Sequence, residues 1–159
     1  MATLILRPIS DGSLRHHCSS GSSGYAMISE SSADDDSTYV YQTVSSRTST
    51  SETSSFTLGG TMPSRPFKIT RATLYVRGRS TGEYTYSGTY KLSIDSSASS
   101  MSLSTSYQTS SSTGIATSLI NNTYISSNFP SLSVIITTTG KKSSTKDDDF
   151  QIRVTQVYL

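Results

Sequence analysis

Charge is what this sequence has least of. Asp, Glu, Lys and Arg make up 15% of its 159 residues, where ordinary soluble domains carry about a quarter. From Ser96 to Gly140 there is no Asp, Glu, Lys, Arg or His at all. The formal net charge is +2, too small for the field that nucleic-acid binding needs, so no nucleic-acid partner is expected. No apolar run approaches the ~18–20 residues of a membrane-spanning helix, so no membrane partner is expected either. Met1 to Arg7 lacks a basic stretch followed by a long apolar core, and no secretory signal is expected. Cys18 is the single cysteine, which excludes an internal disulfide.

Serine and threonine stand where the charges are missing. A surface of hydroxyls suits wide β-sheets and does not suit exposed helices. The hydrophobic fraction is a low 33%, but disordered chains are poor in aromatic and β-branched residues. This one has 10 Tyr and 4 Phe, and its apolar residues fall in ordered patterns. Residues 1–159 are therefore expected to form one folded domain, long enough to bury about two thirds of its unfolded surface.

Period-2 alternation identifies the strands. Tyr84, Tyr86, Tyr90, Leu92 and Ile94 share one face of a strand over Tyr84–Ile94, with Thr, Ser and Lys opposite and Gly88 in register. Met101, Leu103 and Tyr107 repeat the pattern, as do Leu132, Val134 and Ile136, and the residues from Thr38 to Val44. Shorter strands are expected at Thr3–Arg7, Tyr25–Ser29 and Thr53–Leu58. Two segments alternate and then slip by one residue. Phe67 and Ile69 give way to Ala72, Leu74 and Val76, and Phe150, Ile152 and Val154 give way to Val157 and Leu159. A bulge or bend is predicted near Thr70–Arg71 and near Thr155–Gln156, as where a strand leaves one sheet for another. Gly114 to Asn122 is the one candidate helix. About eight to ten short strands with turns between them predict an all-β fold. The expected form is an antiparallel two-sheet β-sandwich of jelly-roll type with at most one short helix. The pattern stops in mid-strand at Val157-Tyr158-Leu159, so the last strand is either cut short or completed by a neighbouring chain.

Few residues carry site chemistry. Asp34-Asp35-Asp36 and Asp147-Asp148-Asp149 are clustered carboxylates at loop ends, the donors that Ca²⁺ takes. Solvated loops that limit edge pairing and keep a charge-poor chain soluble are the commoner explanation, and no other cofactor is expected. His16-His17-Cys18 point alternately to opposite faces of an extended segment and do not converge on one ion; a buried Cys18 beside surface imidazoles is the expectation. Those two neighbouring histidines are the only ones, and no Gly-x-Ser-x-Gly elbow exists. Glu30, Glu52, Glu83 and Asp95 single out no carboxylate pair for glycoside hydrolysis. No catalytic residues are assigned, and an enzyme is not expected. Tyr84, Tyr86 and Tyr90 form either a carbohydrate-binding platform or a core face. Arg7, Arg71, Arg77, Arg79 and Arg153 lie in or beside strands, and Arg71, Arg77 and Arg79 share a parity. They form a basic stripe only if they share a face; otherwise they pair with acids across strands or at a subunit contact.

Four segments carry a family resemblance. They are Leu4-Ile5-Leu6-Arg7-Pro8 with Asp11-Gly12, Ser32 to Tyr41 (SADDDSTYVY), Ile69 to Arg77 (ITRATLYVR), and Phe150 to Tyr158 (FQIRVTQVY). In this order, and across most of the chain, they resemble small virion proteins encoded in the structural modules of tailed bacteriophages and prophages, particularly those of Gram-positive gut bacteria. The resemblance implies a jelly-roll sandwich that serves as a tail, fibre or capsid-decoration subunit. It further implies synthesis in the bacterial host cytoplasm, residence in the virion, and partnership with copies of itself and other virion proteins. A carbohydrate-binding, lectin-like module with calcium in its acidic loops is the alternative, and a fibre that touches a host surface glycan joins the two.

Overall fold

A computed structural model describes residues 2–32, 37–114 and 116–159. In chain order the elements are β1 (Arg7–Asp11), β2 (His17–Cys18), α1 (Gly24–Ile28), β3 (Val40–Val44), β4 (Thr50–Gly59), β5 (Phe67–Lys68), β6 (Leu74–Ser80), β7 (Thr85–Leu92), β8 (Ser99–Ser100), β9 (Gln108–Ser112), a 3₁₀ turn (Thr117–Leu119), β10 (Thr123–Tyr124), β11 (Leu132–Lys141) and β12 (Phe150–Tyr158). One five-stranded sheet has the order β1-β4-β11-β7-β8, the other β2-β3-β12-β6-β9, and β5 pairs with β10 in a small third sheet. The strand pairings are antiparallel. The expected all-β sandwich is what forms. Jelly-roll connectivity is a finer assignment that this strand order does not make.

Alternation decides what lies between the sheets. Phe56 and Leu58 of β4, Tyr90 and Leu92 of β7, and Leu132, Val134 and Ile136 of β11 project from the first sheet. Val40 of β3, Leu74 and Val76 of β6, and Val154 and Val157 of β12 meet them from the second, forming one buried cluster. At 25 cal/mol per Å² of apolar area removed from water, each such side chain contributes about 1.5–3 kcal/mol. Toward one end the buried positions change character. Ser54, Gln42, Thr138 and Gly140 take the inward places that apolar residues hold elsewhere. A Cβ on Gly140 would lie 2.6 Å from Val44 Cγ2, so the strand there tolerates no side chain.

Several local expectations are corrected. Tyr25–Ser29 is not a strand: α1 occupies it, because the Asp11 carboxylate accepts the Gly24 N–H at 3.0 Å and the Tyr25 N–H at 2.6 Å. Two otherwise unpaired donors of a first helical turn are thereby satisfied. Among its described residues Gly114–Asn122 holds only the 3₁₀ turn, which buries Leu119 and gives way to an extended Ile120 and then Asn121, whose φ of 68° is left-handed. Asn tolerates that conformation better than most residues. Met101, Leu103 and Tyr107 fall between β8 and β9 rather than in a strand. The expected first strand lies later, at Arg7–Asp11.

The two phase slips have different causes. In β12 the register passes from Val154 opposite Gly78 to Gln156 opposite Arg77, leaving Thr155 as the extra residue of a bulge. Thr155 turns inward and its hydroxyl donates to the Thr38 carbonyl at 3.0 Å. At Thr70–Arg71 there is no bulge. The chain leaves β5 in the small sheet and enters β6 in the second large one. The end of β12 finds its partner within the chain: Leu6 and Leu159 exchange backbone hydrogen bonds at 2.8 and 2.9 Å.

Candidate functional site

The outward face of the second sheet is the candidate site. Its positions are those that alternate with the core: Tyr41 and Thr43 of β3, Gln151 and Arg153 of β12, Tyr75, Arg77 and Arg79 of β6, and Thr109 and Ser111 of β9. Arg153 stands opposite Tyr41 on one side and Arg79 on the other. Its guanidinium lies 4.3 Å from the Tyr39 ring centre, and its Nε donates to Gln151 Oε1 at 2.9 Å. Arg79 lies 4.7 Å from the Tyr107 ring and Arg77 5.6 Å from the same ring. At the row's other end the exposed His17 is paired with Tyr41, ring centres 5.5 Å apart. Beyond the bulge, Tyr75 and Tyr158 stack at 4.6 Å with planes 13° apart, and Arg7 sits 5.3 Å from the Tyr158 ring.

This arrangement resolves the arginine question. Arg77, Arg79 and Arg153 do share a face, laid against tyrosine rings, while Arg71 is on no strand. Each cation–π contact at such a site contributes about 0.5–1 kcal/mol. The aromatic partners escaped sequence reasoning. Tyr75 alternates with Leu74 and Val76 and was legible as outward, but nothing local ties Tyr39 or Tyr41 to Arg153, more than a hundred residues away.

A second constellation is buried. His16 Nδ1 lies 2.8 Å from Ser54 Oγ and Nε2 lies 2.8 Å from Thr138 Oγ1. Thr138 donates its hydroxyl to Gln42 Oε1 at 2.8 Å, and Gln42 Nε2 donates to the Thr50 carbonyl at 3.0 Å. Thr138 has spent its proton on Gln42, so it accepts from Nε2–H, and Nδ1 then accepts from Ser54. Ser54 also accepts the backbone N–H groups of Arg15 and His16. The network runs from β4 and β11 in one sheet to β3 in the other, with each donor aimed at an acceptor. Burial, with help from the neighbouring His17, holds the His16 imidazole down at about 4, so it is neutral at pH 7. Serine and histidine thus touch, but Ser54 is 0% and His16 3% exposed. The contact is a cross-sheet clamp, and the expected surface imidazole at His16 is corrected. Cys18, expected to be buried, is half-exposed, with burial and Asp11 pushing its thiol up. Beside the clamp, burial raises the Glu52 carboxyl, while His17 opposes the shift.

The other sequence-derived sites are distributed as follows. Asp34, Asp35 and Asp36 lie outside the described residues. Asp147 accepts the Ser144 N–H at 2.6 Å within a turn, and Asp149 pairs with Lys142 at 2.8 Å. Among the described residues no three His, Cys, Asp or Glu side chains converge as a metal site would need. Tyr90 is in the core at 1% exposure, and Tyr84 and Tyr86 pack against Phe150 with ring centres 5.4 and 6.4 Å apart. Tyr90 therefore sits on the inward side of β7, while Tyr86 and Tyr84, the latter just before the strand, are half-buried against Phe150. An apolar cleft of about 940 Å³ opens elsewhere, between the chain's first residues and the small sheet, with Leu4, Met62, Phe67, Phe129 and Leu159 in its walls. No described helix is long and apolar enough to cross a membrane. No protein-family model matches the chain, and no curated protein matches it.

Proposed function

We propose that this chain is a non-enzymatic structural protein of a bacteriophage virion that assembles in multiple copies. A tail- or fibre-associated place is favoured over capsid decoration. Its partners are copies of itself and other virion proteins, and it is made in the host cytoplasm. The observation that carries the multi-copy reading is the edge strand β9. Of the four edges of the two five-stranded sheets, three are blunted: β2 and β8 are two residues long, and β1 carries Pro8 and a register break at Ile9. β9 is Gln-Thr-Ser-Ser-Ser, with no charge, proline or bulge. Such an edge is a template for pairing with another chain.

Light scattering on the purified protein over a range of concentrations tests this. An oligomer is expected, and Thr109→Lys with Ser111→Lys should shift it to monomer without loss of fold. A protein that is monomeric at every concentration overturns the multi-copy reading. Immunogold labelling of intact particles tests the virion assignment separately. The second reading, a carbohydrate-binding module, is favoured by the tyrosine and arginine face of the second sheet. Calcium enters that reading only through the acidic runs, and binding that survives EDTA removes it.

A further inference from the structure

We propose that the apolar cleft beside the small sheet binds a single-chain amphipathic anion, its alkyl tail on the cleft wall and its carboxylate or phosphate head on Arg71. This inference concerns the cleft alone and stands whether or not the chain belongs to a virion. Its starting point is apolar surface that folding leaves uncovered. Only 33% of the residues are hydrophobic, and burying each of them is favourable. Yet Leu4, Met62, Phe67, Ile69, Phe129 and Leu159 reach the main core and stay half-buried. All six border one concavity of about 940 Å³. Ile5, also on its border, is 47% exposed. A concavity of that size, apolar with a few polar groups, has the form of a small-molecule site.

Each wall is anchored by its own contacts. On one side Leu6 and Leu159 exchange backbone hydrogen bonds at 2.8 and 2.9 Å. Gly60 lets that segment close in, since a Cβ there would lie 2.5 Å from the Ile5 carbonyl oxygen. On the other side β5 and β10 pair at only two positions, too few to make a sheet stable by themselves. A cluster of rings adds to them. Phe67 lies 5.9 Å from Tyr124 and 6.0 Å from Phe129, and those two meet edge-on at 5.2 Å. The Asn121 N–H also donates to the Ile69 carbonyl at 2.9 Å, tying the turn before β10 to the chain after β5.

The sign of the charge selects the ligand. Lys68 and Arg71 line the cleft and are exposed, and no Asp or Glu side chain lines it. Neither cation has an ion-pair partner among the described residues. The Leu159 main-chain oxygen, at the end of one wall, accepts the Leu6 N–H. Arg71 lies between β5 and β6, and Thr70 and Thr73 beside it add hydroxyls to the same border. A planar guanidinium meets a carboxylate or a phosphate with two parallel hydrogen bonds. The apolar wall then takes the alkyl tail out of water.

Isothermal titration calorimetry with the full chain tests the proposal. Octanoate, decanoate, dodecanoate, dodecyl phosphate, dodecyltrimethylammonium and acetate are the probes, each below its micelle concentration. One dodecyl anion per chain is expected to bind, and the tighter of the two identifies the head. From octanoate to dodecanoate, each two added methylenes should tighten binding roughly tenfold. Acetate should not bind, and the ammonium should bind at least tenfold more weakly than dodecanoate. Arg71→Gln should weaken the anions at least fivefold and leave the ammonium unchanged, and Arg71→Lys should weaken them by less. Met62→Trp, which fills the cleft, should weaken every dodecyl probe at least tenfold, and Thr137→Ala on the first sheet should weaken none. Parental melting temperatures show that the variants are folded. The proposal is overturned if neither dodecyl anion binds, if the ammonium binds as tightly as dodecanoate, or if Arg71→Gln binds the anions like the parent. A monomeric Met62→Trp, or flotation with phosphatidylglycerol vesicles, while both free anions fail to bind, assigns the cleft to a second copy or to a membrane and equally overturns it.

Discussion

The two outer faces of this sandwich are built on the same alternation and end in opposite chemistry. On the first sheet Ser51, Thr139 and Ser87 stand in one cross-strand row, and Thr53, Thr137 and Thr89 in the next. Ser51 and Thr139 share a hydrogen bond at 2.7 Å, and Thr53 and Thr137 one at 2.9 Å. These neutral pairs satisfy one another and are indifferent to salt. Across the core, the second sheet's rows hold Tyr41, Arg153 and Arg79, and then Tyr75 and Tyr158. One face pairs its hydroxyls with one another, and the other lays planar cations against aromatic rings. Charge differs in kind between the two: the first face carries Lys91 and Lys141 among hydroxyls, and the second carries Arg77, Arg79 and Arg153 against rings.

The comparison is tested first against the interior that both faces share. Tyr90→Ala should cost about 3–5 kcal/mol of stability, as truncating a buried aromatic does, measured by urea unfolding. A variant of parental stability would mean that Tyr90 faces outward after all. Next in size is the cross-sheet clamp. With the folded His16 near 4 and its ordinary value at 6.5, the unfolded chain alone takes up the proton between those pH values. Stability is therefore full above pH 6.5, falls as pH drops through the window, and levels off below about pH 4. The loss is roughly 3 kcal/mol, at about 1.4 kcal/mol per tenfold difference in proton affinity. Urea midpoints at pH 7.5 and pH 4 measure it, and His16→Gln should flatten most of that dependence. Thr138→Val leaves the Nε2–H of His16 without an acceptor and should cost about 1–3 kcal/mol.

The smallest effects separate the faces themselves. Thr53→Ala should cost about 0.2–1 kcal/mol, the range of a cross-strand pair, and the cost should be the same at low and high salt. Arg153→Ala should cost about 0.5–1 kcal/mol through the lost ring contact. It should also relieve repulsion with Arg79, most visibly at low salt. Equal salt responses from the two variants, read as shifts in melting temperature, would erase the distinction drawn between the faces.

Much of the architecture was legible because side-chain direction in a strand depends on nothing but parity. Leu74, Val76 and the residues between them declare which way each points before any partner is known, and so do Leu132 to Ile136. Helical signals failed where they were short. Five residues at Gly24 to Ile28 have no pattern of their own, and the Asp11 carboxylate that organises them lies on another element. Buried polar positions were illegible for a related reason. Thr138 and Ser54 look like surface hydroxyls until a histidine from the segment before β2 arrives between them.

By itself, then, the order of residues determined that the backbone is extended, that its sides differ and roughly where it turns, since these follow from local sterics and the period of two. Only the tertiary structure decided which strands are neighbours. That choice set Arg153 beside Arg79 and Tyr41, sealed His16 between two sheets, and turned Tyr90 inward. Pairing partners are chosen by the summed burial of many distant side chains, an energy that no stretch of sequence carries alone.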